Sequence, residues 1–125
     1  MKLPAPVPEL PVTDINAAAD AYARQMGFTV DWKYEDFLAG ISRDDARIFL
    51  RQRTSDEDKS GYSVMIWLNL NSSAEVDGLH EEWRGRGVRI VKELRTATYG
   101  LREFTAQDID GNSIRVFFDL GGAAQ

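Results

Sequence analysis

From Asp14 to Met26, apolar side chains recur at steps of three and four, at Ile15, Ala18, Ala19, Tyr22 and Met26. That spacing predicts an amphipathic helix, with Thr13 or Asp14 available as its N-cap and Gly27 just past its end. Ala74 to Arg84 repeats the design: Val76, Leu79 and Trp83 form one stripe, and Ser72 followed three residues later by Glu75 reads as a capping box. Between and after these helices, strand-length pieces rich in β-branched and aromatic residues are predicted at 27–32, Phe37–Ser42, Ala46–Arg51, Ser63–Leu70, Val88–Val91, Leu101–Ala106 and Ser113–Phe118. Turn chemistry separates them, in the Pro4, Pro6, Pro8, Pro11 stretch, the polar run Thr54–Gly61, Gly85–Gly87 and Asp110-Gly111-Asn112.

The order strand, helix, several strands occurs twice, and residues repeat with it. Leu10-Pro-Val-Thr-Asp, a helix and Gly27-Phe-Thr-Val answer to Leu68-Asn-Leu-Asn-Ser, a helix and Gly87-Val-Arg-Ile. Asp44 to Leu50 lies over Asp110 to Val116 in the same way. The economical reading is an α+β fold: one domain over 1–125 made of two βαβββ modules, about 5–52 and 62–120, forming a curved mixed sheet. Chance likeness between two α+β stretches is the competing explanation.

Strand alternation then sorts the side chains. Val64, Ile66, Leu68 and Leu70, with Ile48 and Leu50 and with Ile114, Val116 and Phe118, belong under the helices. The opposite phase holds Met65, Trp67 and Asn69, then Arg47, Phe49 and Arg51, then Arg115 and Phe117. Large aromatics mixed with hydrogen-bonding heads suit a concave ligand-binding surface. A subunit interface would use the same side chains, and the two uses are compatible where a site lies between subunits.

Twenty acidic against fifteen basic residues give a net charge of −5, so the chain lacks the basic surface of a nucleic-acid binder and overall favours a cationic ligand. There is no cysteine and a single histidine, His80, which removes thiolate chemistry and multi-His metal cages. His80, beside Glu81 and Glu82, is read as part of a solvated helix face. Asp108 and Asp110 flank a turn, where they would cap backbone amides. Asp31, Glu35, Asp36 and Glu103 stand nearer the expected binding surface; those that face it would draw in a cation, and Arg47 and Arg115 on the same face are read as hydrogen-bond donors or partners of these acids. The expected setting is the cytoplasm, with no membrane partner, because no stretch has the apolar length of a signal peptide or a spanning helix.

Tyr99-Gly-Leu-Arg-Glu-Phe104 followed by Asp108-Ile-Asp-Gly-Asn112, together with the paired modules, resembles the vicinal oxygen chelate superfamily of glyoxalases, extradiol dioxygenases and bleomycin-resistance proteins. Within it the sequence is most similar to the bleomycin-resistance proteins. The likeness is carried by Asp36-Phe-Leu-Ala-Gly-Ile41, Arg43-Asp44, Trp67, Leu79-His-Glu-Glu-Trp83 and Arg102-Glu-Phe104. The resemblance implies a homodimer that sequesters a basic, flat-tailed drug without altering it. It implies ring-stacking roles for Phe37 and Trp67, with Tyr99 standing where the family places a tryptophan.

With the open strand phase, the expected ligand-binding set is Phe37, Arg47, Phe49, Met65, Trp67, Tyr99, Glu103, Arg115 and Phe117. The superfamily's enzymes place metal ligands in the first and last strands of each half. Here those places fall near Val7 to Glu9, near Met65, and at Phe49 and Arg115, so no metal, cofactor or catalytic residue is expected. A glyoxalase-like lyase or isomerase is the alternative. The N-terminal prolines could also mark a hinge for exchange of the first strand between subunits.

Overall fold

The structure, a computed structural model, describes residues 1–56 and 61–121. Its strands and helices are β1 (Glu9–Val12), α1 (Ile15–Met26), β2 (Thr29–Tyr34), β3 (Leu38–Arg43), β4 (Ala46–Gln52), β5 (Met65–Asn69), α2 (Ser73–Gly85), β6 (Arg89–Thr96), β7 (Leu101–Gln107) and β8 (Ser113–Asp119). The chain divides into two compact units, Met1–Ser63 and Val64–Gln125. Each is α+β with a four-stranded mixed sheet, ordered β1-β4-β3-β2 in the first and β5-β8-β7-β6 in the second.

The helices form where the caps place them. Asp14 is extended at φ −140° and its Oδ1 accepts from the amides of Asn16 and Ala17 at 3.0 and 3.1 Å, satisfying donors that the first turn leaves unpaired. Gly27 ends the helix in the left-handed region at φ 79°, and its N–H returns to the Tyr22 carbonyl. That cap moves the start of the next strand: Gly27-Phe28 belongs to the helix exit, and β2 begins at Thr29 and runs on to Tyr34. Ser72 Oγ accepts from the Glu75 amide at 3.1 Å and opens α2.

In the first unit Leu10, Val12, Ile41, Ile48 and Leu50 meet Ile15, Ala18, Ala19, Tyr22 and Met26 of α1, all essentially inaccessible. Tyr22 also receives Phe28 edge-on, with ring centroids 5.6 Å apart. In the second unit Phe104, Ala106, Ile114 and Val116 are buried with Val76 and Trp83 of α2, and Trp83 stands at 85° to Phe104. Burying a side chain of this size contributes about 1.5–3 kcal/mol, which makes these sets the main stabilising term.

His80 departs from expectation. Its side chain is only 14% exposed and its ring packs edge-on against Phe104 at 5.1 Å, with Nε2 3.4 Å from Glu93 Oε1. The histidine lies at the boundary between the helix stripe and the core, and the acids beside it in sequence mask that position. Strand β6 also differs: it extends five residues beyond Val91, and register shifts after Ile90 and Lys92 break the alternation from which its length would be read.

Candidate functional site

Each unit has a sheet face turned away from its helix, and strand register sets what stands there. In the first unit Glu9, Phe49, Gly40 and Trp32 are successive cross-strand neighbours. A register shift between Val30 and Trp32 accompanies the placement of the indole across Gly40. A Cβ on Gly40 would lie 2.3 Å from Trp32 Nε1 and 2.4 Å from Cε2, so the glycine is the space the ring occupies. Trp32 meets Phe49 edge-on at 5.2 Å, and the Arg47 guanidinium lies 5.8 Å from the Phe49 ring. Along the same phase of β4, Arg51 bonds Glu9 at 2.9 Å and reaches Tyr62 Oη at 3.4 Å. Arg53, which is buried, follows with its guanidinium 5.6 Å from the Tyr62 ring.

The second unit holds a tighter cluster. Trp67, Arg115 and Thr105 form one cross-strand row, and Phe117, Glu103 and Arg95 form the next. Arg115 lies over the Trp67 indole, 4.3 Å from its centroid, while Phe117 meets that indole edge-on at 5.4 Å. Glu103 is 3% exposed. Its Oε1 accepts from Arg115 Nε at 2.9 Å, and its Oε2 from Arg95 Nη2 at 3.1 Å and from the Tyr99 hydroxyl. The Tyr99 oxygen in turn accepts from Arg95 Nη2 at 3.1 Å and Arg115 Nη2 at 2.5 Å. Burial alone would raise the Glu103 pKa; the hydrogen bonds from Tyr99, Arg115 and Arg95 outweigh it and hold the carboxyl below the usual range.

The structure therefore brings Trp67, Tyr99, Glu103, Arg115 and Phe117 together on one face, with Met65 half-exposed at the start of β5, in the phase of Trp67. Arg47 and Phe49 meet on the first unit's face. Phe37 does not join them. It closes the turn after β2, half-exposed, its N–H bonded to the Tyr34 carbonyl, and its ring is not part of the Trp32–Phe49 pair. Its carbonyl accepts from the Gln52 amide at 2.8 Å, at the edge of the ladder, and the strand predicted to begin at Phe37 begins at Leu38.

Glu103 pairs with Arg115 as expected, but with Arg95 also bonded to it the carboxylate is enclosed rather than presented to a cation. Asp31, Glu35 and Asp36 are exposed on β2 and the turn after it. Asp108, as expected, is structural: its Oδ1 accepts from the amides of Asp110 and Asn112 at 2.8 and 2.9 Å, and its Oδ2 from the Asn112 side chain.

The sequence pattern passed over Arg95 and Arg53 and did not count Trp32 among the binding residues. The alternation Arg47, Phe49, Arg51, Arg53 continues two residues past the predicted strand and was readable; Arg95 lay beyond the predicted end of β6. Each cluster has more guanidinium than carboxylate, opposite in sign to the chain as a whole.

A mixed βαβββ pair with this register defines a class of fold, and the sequence agrees with it. The chain belongs to the Glyoxalase/Bleomycin resistance protein/Dioxygenase superfamily, whose sequence model matches residues 6–116. Among solved structures it is similar to a glyoxalase/bleomycin resistance protein/dioxygenase from Alicyclobacillus acidocaldarius, with a TM-score of 0.78 and 17% identity over 100% of this chain and 99% of that one. A second, from Nocardioides, gives a TM-score of 0.77 and 19% identity over 98% and 87% of the two chains. A lactoylglutathione lyase from Agrobacterium tumefaciens gives 0.73 and 18% over 94% and 95%. These identities establish the fold alone. A search of curated proteins gave no match.

The superfamily's metal positions can be tested against the register. Glu9 pairs with Phe49 and Trp67 with Arg115, which makes Trp67, not Met65, the counterpart of Glu9. Phenylalanine and tryptophan offer no lone pair to a divalent cation, arginine is a donor only, and the Glu9 carboxylate is engaged by Arg51. The residues do not fit a metal, and no group of three or more His, Cys, Asp or Glu among the described residues could hold one. No helix among the described residues is long and apolar enough to cross a membrane.

Proposed function

We propose that this protein is a small-molecule-binding member of its superfamily, of the bleomycin-resistance type, which as a homodimer holds a flat aromatic ligand against the face centred on Trp67 and performs no chemistry on it. The observation that carries the reading is the exposed indole: Trp67 is half-accessible yet held in place by Arg115 and edge-on by Phe117. An aromatic surface ordered before the ligand arrives loses little conformational freedom on binding. Arginine, phenylalanine and tryptophan at the superfamily's metal positions favour binding over a metal-dependent lyase reaction.

The test is calorimetric titration with a neutral planar probe, 2-naphthamide, of metal-stripped wild type and of Trp67→Ala. Saturable binding by wild type, loss of it in the variant with unchanged far-ultraviolet dichroism, and recovery of the probe unaltered are the expected results. Sedimentation of the same samples reports the dimer. Equal binding by the Trp67→Ala variant, or turnover of the probe, would refute the reading.

A further inference from the structure

The Trp67 face has a charge that the net charge of the chain conceals. Two arginines, Arg95 and Arg115, share one carboxylate, Glu103, with a neutral phenol completing the cluster. The carboxylate is spent on these internal contacts, with a side chain 5% exposed, whereas the Arg95 side chain is 55% exposed. Nε and Nη2 of both arginines point to Glu103 and Tyr99, and among the described residues neither Nη1 donates to a protein acceptor. Glu103 aligns the two guanidinium groups without cancelling them, and the surplus charge lies beside the half-exposed indole.

From this we infer that the ligand of the Trp67 face is a flat aromatic acid, its ring against the indole and its carboxylate or comparable anionic group on the outer nitrogens of Arg95 and Arg115. The inference rests on the reading of Trp67 as a ring-binding surface and names the chemical class of what binds there. Two outer guanidinium nitrogens, held in place by Glu103, suit an anionic group, and such charge-assisted bonds are about twice as strong as neutral ones. A cationic ring would meet the surplus positive charge.

One ring system with three substituents separates the two claims: 2-naphthoate, 2-naphthamide and 2-naphthylmethylammonium, titrated calorimetrically at neutral pH. The naphthoate is expected to bind about tenfold more tightly than the amide, the magnitude of one hydrogen bond to a charged group, with the preference shrinking as salt is raised. Arg95→Gln should abolish the preference while keeping affinity for the amide, and Arg95→Lys should restore most of it. Naphthoate binding no tighter than the amide, or the ammonium binding most tightly, would overturn the acid assignment and leave the ring surface standing. Failure of all three probes would remove the ring surface and the acid assignment with it.

Discussion

Replacing Glu103 with glutamine keeps the shape of the side chain and removes the charge that two arginines share. The wild-type carboxylate accepts from Arg115 at 2.9 Å, from Arg95 at 3.1 Å and from Tyr99, with a side chain only 5% exposed. In the variant one oxygen becomes an NH2 donor facing donors. Arg95 is over half exposed and regains water, so its share is discounted, but Arg115 at 17% exposure does not. Breaking a buried pair by removing one partner costs about 3–5 kcal/mol, and partial rehydration places the expected loss near the lower end, about 3 kcal/mol at neutral pH.

The pH dependence gives that figure a second signature. The folded-state pKa of Glu103 is depressed, so its contribution is complete above the unfolded value of about 4.3 and is lost as pH falls through the folded value. Glutamine has no such term, so the stability gap between wild type and variant should narrow on acidification. Urea unfolding followed by circular dichroism at neutral pH and again near pH 3 measures both. A neutral-pH gap below about 1 kcal/mol, or one that does not change with pH, would refute the account of Glu103 as the centre of the cluster.

Gly40→Ala should force Trp32 off the sheet, costing about 1–3 kcal/mol as overpacking and red-shifting tryptophan emission; an unchanged spectrum would mean that the ring does not rest on the glycine. Asp108→Ala removes three acceptor contacts from the turn before β8 and should cost about 2–4 kcal/mol in chemical denaturation, while the conservative Asp108→Asn recovers part of it. Incubation with chelator, or with zinc, nickel or manganese, should leave the melting temperature unchanged, since a tightly bound metal would raise it; a metal-dependent rise would restore the lyase reading.

Much of the fold was legible because local signals agreed with one another. Apolar spacing, the caps Asp14 and Ser72 and the repeated turn residues all pointed to paired modules, and the phase of Trp67, Phe49, Arg115 and Phe117 followed from period-two alternation. The departures share a physical cause. Phe37 lies in the turn that leads into β3, at the edge of the ladder. Arg95 follows two register shifts in β6, and His80 is drawn against Phe104 by packing that no neighbour in sequence reveals. Glu103 is the clearest case: Arg115 on the same face was readable as its partner, whereas Arg95 and Tyr99 come from β6 and the loop before β7, and only tertiary structure brings those together.

The parallel pairing of β1 with β4 has a kinetic consequence. Strands β2, β3 and β4 are joined by tight turns and can zip up from local contacts, whereas β1 meets β4 only after about forty residues of intervening chain have been placed, and β5 meets β8 across a similar span. Closing so long a loop has to await a formed surface, so each meander should assemble early with its helix and receive the leading strand last. The edge strands β1 and β5 would then also be the first to detach on partial opening, and their amides should exchange with solvent before those of β4 and β8.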